Sequence, residues 1–298
     1  MFDALIEGHS FLDSMGFGMN DEVNEPVFLI DYPIAIGNPF QALYNSASIE
    51  HGVIATGCND LEEVASIRWP VNTCLHIHWL GNIIKNSENV EEAEERVNDF
   101  MALLDKMKIN GLKILWTVHN TLPHDAEFVE QQVILRKGLI ERCDVIHIMN
   151  DETISIASEY FDLPIDKVIS TPHCSYEGYY PDFTTRDDAR HQLNLDREAF
   201  IFLFFGSIQR YKGVEEMIEA FSVLQQETDV NIKLVISGKV SDREFEEELL
   251  SLISMDNDIH YFRNKIPVDE VQYHFRSADV CICPYRATLN SGVAHLAH

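Results

Sequence analysis

The sequence predicts an α/β protein made of two domains, each with a parallel sheet. Short β-rich runs alternate with helical stretches along the whole chain, which is typical of parallel sheets. A chain of 298 residues is long for a single core, so two domains are expected. The alternation stops once, at residues 176–188, where turn formers and aromatic residues cluster. We therefore predict domains at 1–185 and 186–298.

In the first domain, the alternation predicts five strands and a long amphipathic helix. The strands are expected at 27–32, 74–79, 113–118, 145–148 and 168–171. Apolar residues then recur at helical spacing above an acidic outer face, at Val90, Ala93, Val97, Phe100, Leu104 and Met107. We interpret this helix as packing on the sheet with no chemical role.

The second domain repeats the alternation after a short helix at 189–195. Strands are expected at 200–205, 233–237, 259–262 and 280–284, and helices at 214–226, 244–255 and 268–276. In the first of these helices an apolar stripe formed by Val214, Met217, Ile218, Phe221 and Leu224 should face the sheet. The second domain is therefore predicted to be a parallel α/β domain as well.

Composition and charge exclude several classes of protein. The chain has 46% hydrophobic residues, a composition that disfavours disorder. Its formal net charge of -27 repels polyanions and so disfavours nucleic-acid binding. The six cysteines are scattered and follow no signal-like N-terminus, so reduced thiols and a cytoplasmic location are expected. No apolar run reaches the length of a spanning helix, although peripheral contact at the inner membrane face stays open.

The most informative motif is the segment 202–213, in which a strand breaks at Gly206 and leads through two cations into a helix. Gly206 lets a ligand approach the backbone, and Arg210 and Lys212 offer charge-assisted hydrogen bonds to anionic oxygens. Gly213 precedes the helix, whose N-terminus favours anions. The motif indicates a phosphate site, and an ordinary loop with solvent-facing cations is the alternative.

A second strand end, at 280–293, leads into small and hydrogen-bonding residues. Tyr285 closes the strand region, and Ser291, Gly292 and the Val293 amide form a second candidate anion site. Cys281 and Cys283 have metal-ligand spacing, but no partner pair follows, so two structural thiols are expected there.

The first domain offers polar residues where its strands end. His119, which follows the strand at 113–118, is a candidate proton acceptor or hydrogen-bonding partner. His76 and His78 share one face of a strand and could form a zinc site with His119 or His51, but no ligand spacing supports it. We therefore predict that the protein holds no metal.

Together these segments resemble glycosyltransferases of the GT-B fold, in particular family 4 and its bacterial exopolysaccharide relatives. The segments that match are 206–213, 235–238, 277–285 and 291–293, and more loosely 117–120 and 38–40. The resemblance implies two Rossmann-like domains facing across a cleft, with the nucleotide-sugar held by the second and the acceptor by the first.

The resemblance also implies a function and a set of site residues. It implies that a hexosyl group is transferred from a nucleotide-sugar to an acceptor hydroxyl, without a metal or other cofactor. The acceptor would be a saccharide or a lipid-linked molecule, and the reaction would belong to polysaccharide or glycolipid biosynthesis. His119 would be the catalytic contact. Donor-binding residues would be Gly206, Arg210, Lys212, Gly213, Gly238, Tyr285, Ser291, Gly292 and Val293, and acceptor-side residues Asn38, His78 and Asn120.

The chain departs from the family pattern in three places. Gln209 stands where relatives often carry arginine, and a frequent pair of glutamates would fall at Leu289 and Ala297. The chain also stops shortly after Gly292, where relatives continue, so we expect the second domain to be incomplete. Alternatives are therefore an inactive nucleotide-sugar-binding or scaffold protein, and an epimerase or a phosphorylase-like enzyme on the same architecture.

Overall fold

The computed structural model describes residues 26–35, 37–70, 72–123, 126–254 and 256–297. The chain divides into two compact units, Met1–Pro172 and His173–His298. The sequence placed the domain boundary later, between 185 and 186. Residues on the intervening segment contact the second unit, because the Phe183 amide donates to Gln272 Oε1 and Asp182 pairs with Arg276.

The first unit contains one six-stranded parallel sheet, ordered β2-β1-β3-β4-β5-β6. Its strands are β1 Val27–Tyr32, β2 Val53–Gly57, β3 Thr73–Ile77, β4 Lys113–Thr117, β5 Val145–Ile148 and β6 Val168–Ser170. The strands predicted from sequence are all present, with ends that differ by up to two residues. The sequence missed β2, an edge strand that is half-buried along its length and so carries no continuous apolar run.

Helices of the first unit are α1 Phe40–Tyr44, α2 Leu61–Ser66, α3 Gly81–Ile84, α4 Val90–Ile109, α5 Val129–Arg142 and α6 Glu152–Ala157. The long helix α4 was predicted correctly. Asn89 caps it by accepting from the Glu92 amide, and its apolar stripe is buried except for Val90, which is 44% exposed. No helix among the described residues combines the length and the apolar character needed to cross a membrane.

The second unit contains a four-stranded parallel sheet, ordered β10-β7-β8-β9. Its strands are β7 Phe200–Phe205, β8 Ile232–Ser237, β9 Ile259–Phe262 and β10 Val280–Cys281. Its helices are α7 Arg186–Gln192, α8 Val214–Glu227, α9 Arg243–Ile253, α10 Val271–Ser277 and α11 Gly292–Leu296. The predicted end of the helix before β9, at 255, lies outside the described residues.

Packing of α8 agrees with the predicted stripe at four of five positions. Val214, Met217, Ile218 and Phe221 are buried against Leu234 and Ile236 of the sheet, whereas Leu224 is 37% exposed. The buried stripe of α8 therefore ends at Phe221.

A fully buried arginine joins α7 to the sheet of the second unit. Arg190 donates through Nε to the Ser277 carbonyl, through Nη1 to the Ala199 carbonyl, and through Nη2 to Asp279 at 2.8 Å. Asp279 also accepts from the Ile201 amide. Because all these groups are buried or half-buried, they depend on one another for hydrogen bonds.

We expect Arg190→Met to destabilise the second unit by about 3 kcal/mol, because it removes the buried cation that pairs with Asp279 and the donor to several carbonyl oxygens. Urea unfolding followed by circular dichroism measures the loss. Arg186→Met is the matched control: Arg186 reaches the other oxygen of Asp279 from the surface, so its loss should cost less than about 1 kcal/mol. Equal losses in the two variants would contradict a role for burial.

His274 makes the second unit sensitive to acid. It is 1% exposed, contacts Ser237 Oγ through Nδ1 at 2.8 Å, and burial lowers its pKa to about 4. The unfolded chain binds a proton near pH 6.5, so stability is complete above that pH and falls as the pH approaches 4.

His274 should therefore contribute a loss of about 2 kcal/mol between pH 7 and pH 5. Urea unfolding at both pH values should show a smaller loss in His274→Gln than in wild type. In His191→Gln, which removes an exposed histidine of α7, the wild-type loss should persist. A loss unchanged by His274→Gln would show that the buried imidazole is not responsible.

Candidate functional site

The loop after β7 forms the first candidate site, which lies entirely within the second unit. The Gly206 amide donates to the Ser237 carbonyl, and an isolated parallel bridge pairs Ile208 with Val240. A single 3-10 turn, Arg210–Lys212, then leads through Gly213 into α8. This loop lies at the carboxyl end of a parallel sheet, where ligands of such folds bind.

Lys212 is the central side chain of this loop. It is 8% exposed, and its ammonium group folds back to donate to the Ser207 carbonyl at 2.7 Å and to Ser207 Oγ at 2.9 Å. Within the described part of the chain, no carboxylate oxygen lies within 4.0 Å of Lys212 Nζ. Burial lowers the pKa of Lys212 to about 8, so the amine still binds a proton at neutral pH.

The two predicted phosphate-binding cations do not converge. Arg210 is 3-10 helical and half-exposed, and its guanidinium forms a bidentate pair with Glu248 at 2.8 and 2.9 Å. The same group lies over the Phe245 ring, 4.4 Å from its centroid. Arg210 is therefore directed toward α9 in this structure, away from the ammonium group of Lys212.

Two of the predicted glycines are required by close backbone approaches. Gly213 has φ 67°, and a Cβ there would lie well within 3.0 Å of the Pro284 carbonyl oxygen. A Cβ on Gly238 would lie equally close to the Gly206 carbonyl oxygen. Both glycines thus bring neighbouring loops together beside Lys212, and they shape the site rather than offering a side chain.

The segment after β10 meets the same loop. The Lys212 ammonium lies 5.6 Å from the centroid of the Tyr285 ring, and a Cβ on Gly206 would lie 3.8 Å from Lys212 Nζ and 3.5 Å from a Val293 methyl group. Burial raises the pKa of Tyr285, and a hydrogen bond with Ser291 opposes that rise. Tyr285 and Val293 therefore lie beside Lys212 and Gly206.

Gly292, also predicted to bind the donor, packs against an aromatic ring. A Cβ at this position would lie 2.6 Å from the Tyr176 hydroxyl oxygen. The glycine therefore allows the start of α11 to approach Tyr176.

The two cysteines of this segment were predicted to be a pair of buried structural thiols. Both are free, as are the other four, but Cys281 is only half-buried, so the predicted burial was wrong. Cys283 is exposed, and its pKa is lowered to about 6, first through a hydrogen bond with Cys281 and further by the charge of Lys212. A thiolate at this position would balance part of the charge on the ammonium group.

The first unit brings together a second group of polar side chains, at the carboxyl ends of β1 and β3. His76 Nδ1 and His78 Nε2 each lie 3.0 Å from the same oxygen, Oδ1, of Asp31. All three residues are buried, and the other oxygen of Asp31 accepts from Asn45 Nδ2 at 2.5 Å. We call these three residues the Asp-His-His cluster.

The far ring nitrogens of both histidines are also bound. His76 Nε2 lies 2.7 Å from Thr117 Oγ1, which in turn lies 2.9 Å from His147 Nδ1. His78 Nδ1 lies 3.2 Å from His119 Nε2. A chain of polar contacts therefore runs across β1, β3, β4 and β5.

The pKa values of the cluster match its burial. Burial would raise the pKa of Asp31, but the contacts with His76 and His78 outweigh it and lower the pKa to about 2. Burial lowers the pKa of His76 to about 4 against the opposing pull of Asp31. At neutral pH the carboxyl group is therefore ionised and the His76 imidazole is neutral.

His119, the predicted catalytic residue, lies at the edge of this cluster. It is half-buried, with its ring stacked on Trp79 at 4.4 Å and edge-on to Phe40 at 4.7 Å. Asn120 follows it and is half-buried. Asn38 is exposed and accepts from the Phe40 amide at the start of α1.

Several residues of these sites escaped the sequence reasoning. Asp31 was missed, although a carboxylate near the end of an otherwise apolar strand is a usable signal. Ser207, Thr117 and His147 gave no such signal, because their role depends on register between strands. The residue that contacts both His76 and His78 is Asp31. Of the two histidines suggested as their partners, His119 contacts His78, and His51 lies exposed in a separate 3-10 turn.

Comparison with known proteins relates the second unit to a family. Residues 185–294 match the family described as glycosyl transferases group 1. D-inositol 3-phosphate glycosyltransferase of Pseudarthrobacter chlorophenolicus is 29% identical over 138 residues, which are 45% of this chain and 32% of the relative. GDP-mannose:glycolipid 4-beta-D-mannosyltransferase of Xanthomonas campestris is 20% identical over 224 residues, 75% of this chain and 58% of the relative.

Similar solved structures show the fold. Anabaena HepE in complex with UDP has a TM-score of 0.57 at 9% identity, with 88% of this chain and 74% of that chain covered. The chain is thus an α/β protein of the GT-B class with two Rossmann-like units, as predicted. It spans less than two thirds of the length of either relative named above.

Proposed function

We propose that the protein is a glycosyltransferase that moves a sugar from a nucleotide-sugar to an acceptor hydroxyl. The observation that carries the proposal is Lys212, a buried ammonium group without a carboxylate partner among the described residues, held beside Gly206 in a segment that matches the glycosyl transferases group 1 family. Burying a charge is costly unless a counter-charge is supplied. The Cys283 thiolate would balance part of the Lys212 charge, and a diphosphate group would supply the rest.

The chemistry requires a cation at this place. In transfer, the bond between the anomeric carbon and the diphosphate breaks, a bond forms to the acceptor oxygen, and the hydroxyl proton is released. Negative charge develops on the leaving diphosphate, and a preorganised ammonium group stabilises it best in a site that excludes water. The Lys212 ammonium group already donates two hydrogen bonds to Ser207, which fix its position, so little reorganisation is needed.

The surrounding residues support binding of a nucleotide-sugar. Gly206 leaves its backbone open to a ligand, while Tyr285, Ser291 and Val293 line the same place. Gly213, Gly238 and Gly292 hold the loops close enough together. We include Arg210 as a second phosphate contact that must first exchange Glu248 for the ligand.

Acceptor recognition is assigned to the first unit. His119 is the proposed catalytic contact to the transferring sugar or the acceptor hydroxyl, with His78 behind it and Asn38 and Asn120 as further polar contacts. The similarity to a mannosyltransferase named for a glycolipid acceptor supports a saccharide or lipid-linked acceptor. The enzyme would then be of the family 4 or exopolysaccharide type and act in polysaccharide or glycolipid biosynthesis. A cytoplasmic location, with peripheral contact at the inner membrane face, follows from such an acceptor.

The proposal is tested with a panel of radiolabelled UDP-, GDP- and ADP-sugars. At least one should bind with micromolar affinity in calorimetry and release its nucleoside diphosphate when a mixture of saccharide and lipid-linked acceptors is added. Binding without any turnover favours the alternative of a nucleotide-sugar-binding protein. Absence of binding across the panel would remove the proposal altogether.

A further inference from the structure

The strongest unassigned feature is the Asp-His-His cluster of the first unit. Its three ligand-type atoms, Asp31 Oδ1, His76 Nδ1 and His78 Nε2, all lie within 4.8 Å of one another. Ligands of a tetrahedral zinc ion, about 2.0–2.1 Å from the metal, are about 3.3 Å apart. The two contacts of 3.0 Å to Asp31 are close to that spacing.

A hydrogen bond does not explain His76. Its Nδ1 is fully buried and lies 3.0 Å from Asp31 Oδ1, yet the pair does not meet the geometry of a hydrogen bond. A buried polar atom left in this way costs about 1–3 kcal/mol. Such an atom, aimed at a carboxylate and a second imidazole, indicates that a ligand belongs between them.

The outer contacts hold both imidazoles in the form that a metal requires. If His76 donates from Nε2 to Thr117 Oγ1 and His78 donates from Nδ1 to His119 Nε2, both inward nitrogens carry lone pairs. Asn45 meanwhile holds the second oxygen of Asp31. Metal-binding histidines almost always donate their other N–H to an acceptor, usually a carboxylate, a carbonyl or water, and a hydroxyl and an imidazole take that place here.

We infer that Asp31, His76 and His78 form a binding site for a divalent transition metal, with Zn²⁺ as the ion of best fit. Two imidazoles and one carboxylate are ligands that zinc accepts, and three protein ligands leave one position open. Asp31 also lines a cavity of about 230 Å³ together with Gln41, Thr56 and Gly57.

The inference departs from the sequence-based expectation that the protein holds no metal. It concerns the first unit alone. It shares His78 and its contact to His119 with the proposed acceptor side, but zinc binding and its effect on stability are measured without any sugar transfer. A bound ion would join β1 to β3, so its first effect is on the stability of the first unit.

The experiment uses the full chain, stripped with a chelator and then titrated with Zn²⁺ alone. The three tryptophans, Trp69, Trp79 and Trp116, all lie in the first unit, so tryptophan fluorescence follows the unfolding of that unit. One equivalent of Zn²⁺ should raise its unfolding temperature. X-ray absorption at the zinc edge should show only nitrogen and oxygen neighbours, including two imidazoles.

Variants locate the site. Asp31→Asn and His78→Gln should weaken zinc binding by more than about 100-fold, since loss of an outer partner alone costs about 10–100-fold. Thr117→Val should fall within that smaller range. His51→Gln removes an exposed histidine of the same unit and should bind zinc as the wild type does.

Three results would overturn the inference: no zinc binding by the wild type, sulfur neighbours at the metal, or equal affinity in Asp31→Asn and His51→Gln. If Asp31→Asn does not fold, the X-ray absorption spectrum of the wild type and the zinc affinity of Thr117→Val still test the site, because neither depends on that variant.

Discussion

Replacing Lys212 with methionine should weaken the binding of nucleoside diphosphates by about 100-fold while leaving the second unit folded. Methionine keeps the apolar stem in its buried position and removes only the ammonium group. Each charge-assisted hydrogen bond to a phosphate oxygen is worth about 1.5–3 kcal/mol, and about 2.7 kcal/mol corresponds to 100-fold in affinity. Because the buried cation has lost its hydration, the folded protein should be no less stable without it.

Calorimetry with UDP, GDP and ADP measures this loss, and circular dichroism checks the fold. Lys233→Met is the matched control, since Lys233 is a lysine of β8 in the same unit that pairs with Asp258; its nucleotide affinity should be unchanged. Arg210→Met should cost less than about 10-fold, because Arg210 is engaged with Glu248. Undiminished affinity in Lys212→Met would refute the phosphate role.

The largest expected effect on stability comes from Gly238→Ala, which should destabilise the second unit by about 4 kcal/mol or more. The new Cβ would overlap the Gly206 carbonyl oxygen, and the Gly206 amide itself donates a hydrogen bond to the Ser237 carbonyl at the end of β8. The atoms that the new Cβ would meet first are the carbonyl oxygen and carbon of Gly206. Because both are backbone atoms, the backbone at the end of β7 would have to move. Nucleotide binding should fall with it.

Urea unfolding followed by circular dichroism, combined with hydrogen exchange of the β7 and β8 amides, measures the effect. Gly178→Ala is the control in the same unit: Gly178 has φ 76° but nothing within 4 Å of a new Cβ. Gly178→Ala should lower the free energy of unfolding by only about 1–2 kcal/mol, the cost of placing a residue with a Cβ in the left-handed conformation. Similar losses in the two variants would mean that backbone conformation, and not the close approach, decides.

Much of the fold was predictable because its signals are local. The run at 200–205 and the break at Gly206 gave β7 with correct ends, and helical spacing gave α4 and α8 within two residues. The edge strand β2 was missed since its half-buried residues alternate weakly, and β10 is shorter than predicted because it pairs with β7 over only two residues.

The candidate sites were predictable where one segment carries them. Gly206, Lys212 and Gly213 follow one another in the chain, and the structure places Tyr285 and Val293 beside them as expected. Arg210 was expected to point at the same ligand, but an acidic residue on α9 attracts it, and no local pattern reveals a partner so distant in sequence.

The Asp-His-His cluster shows the limit of the same reasoning. His76 and His78 were grouped correctly by alternation along β3, whereas their third partner depends on which strand lies next to β3. Register places Asp31 directly opposite His76, and this long-range pairing cannot be read from spacing along one segment.

Hydrogen–deuterium exchange of the wild-type chain, with and without the tightest-binding nucleoside diphosphate, tests the phosphate site most directly. The account predicts slower exchange at the amides of 206–213 and 291–293, and no change at these amides in Lys212→Met under the same conditions. Protection confined to other parts of the chain, or no protection at any nucleotide concentration, would contradict it.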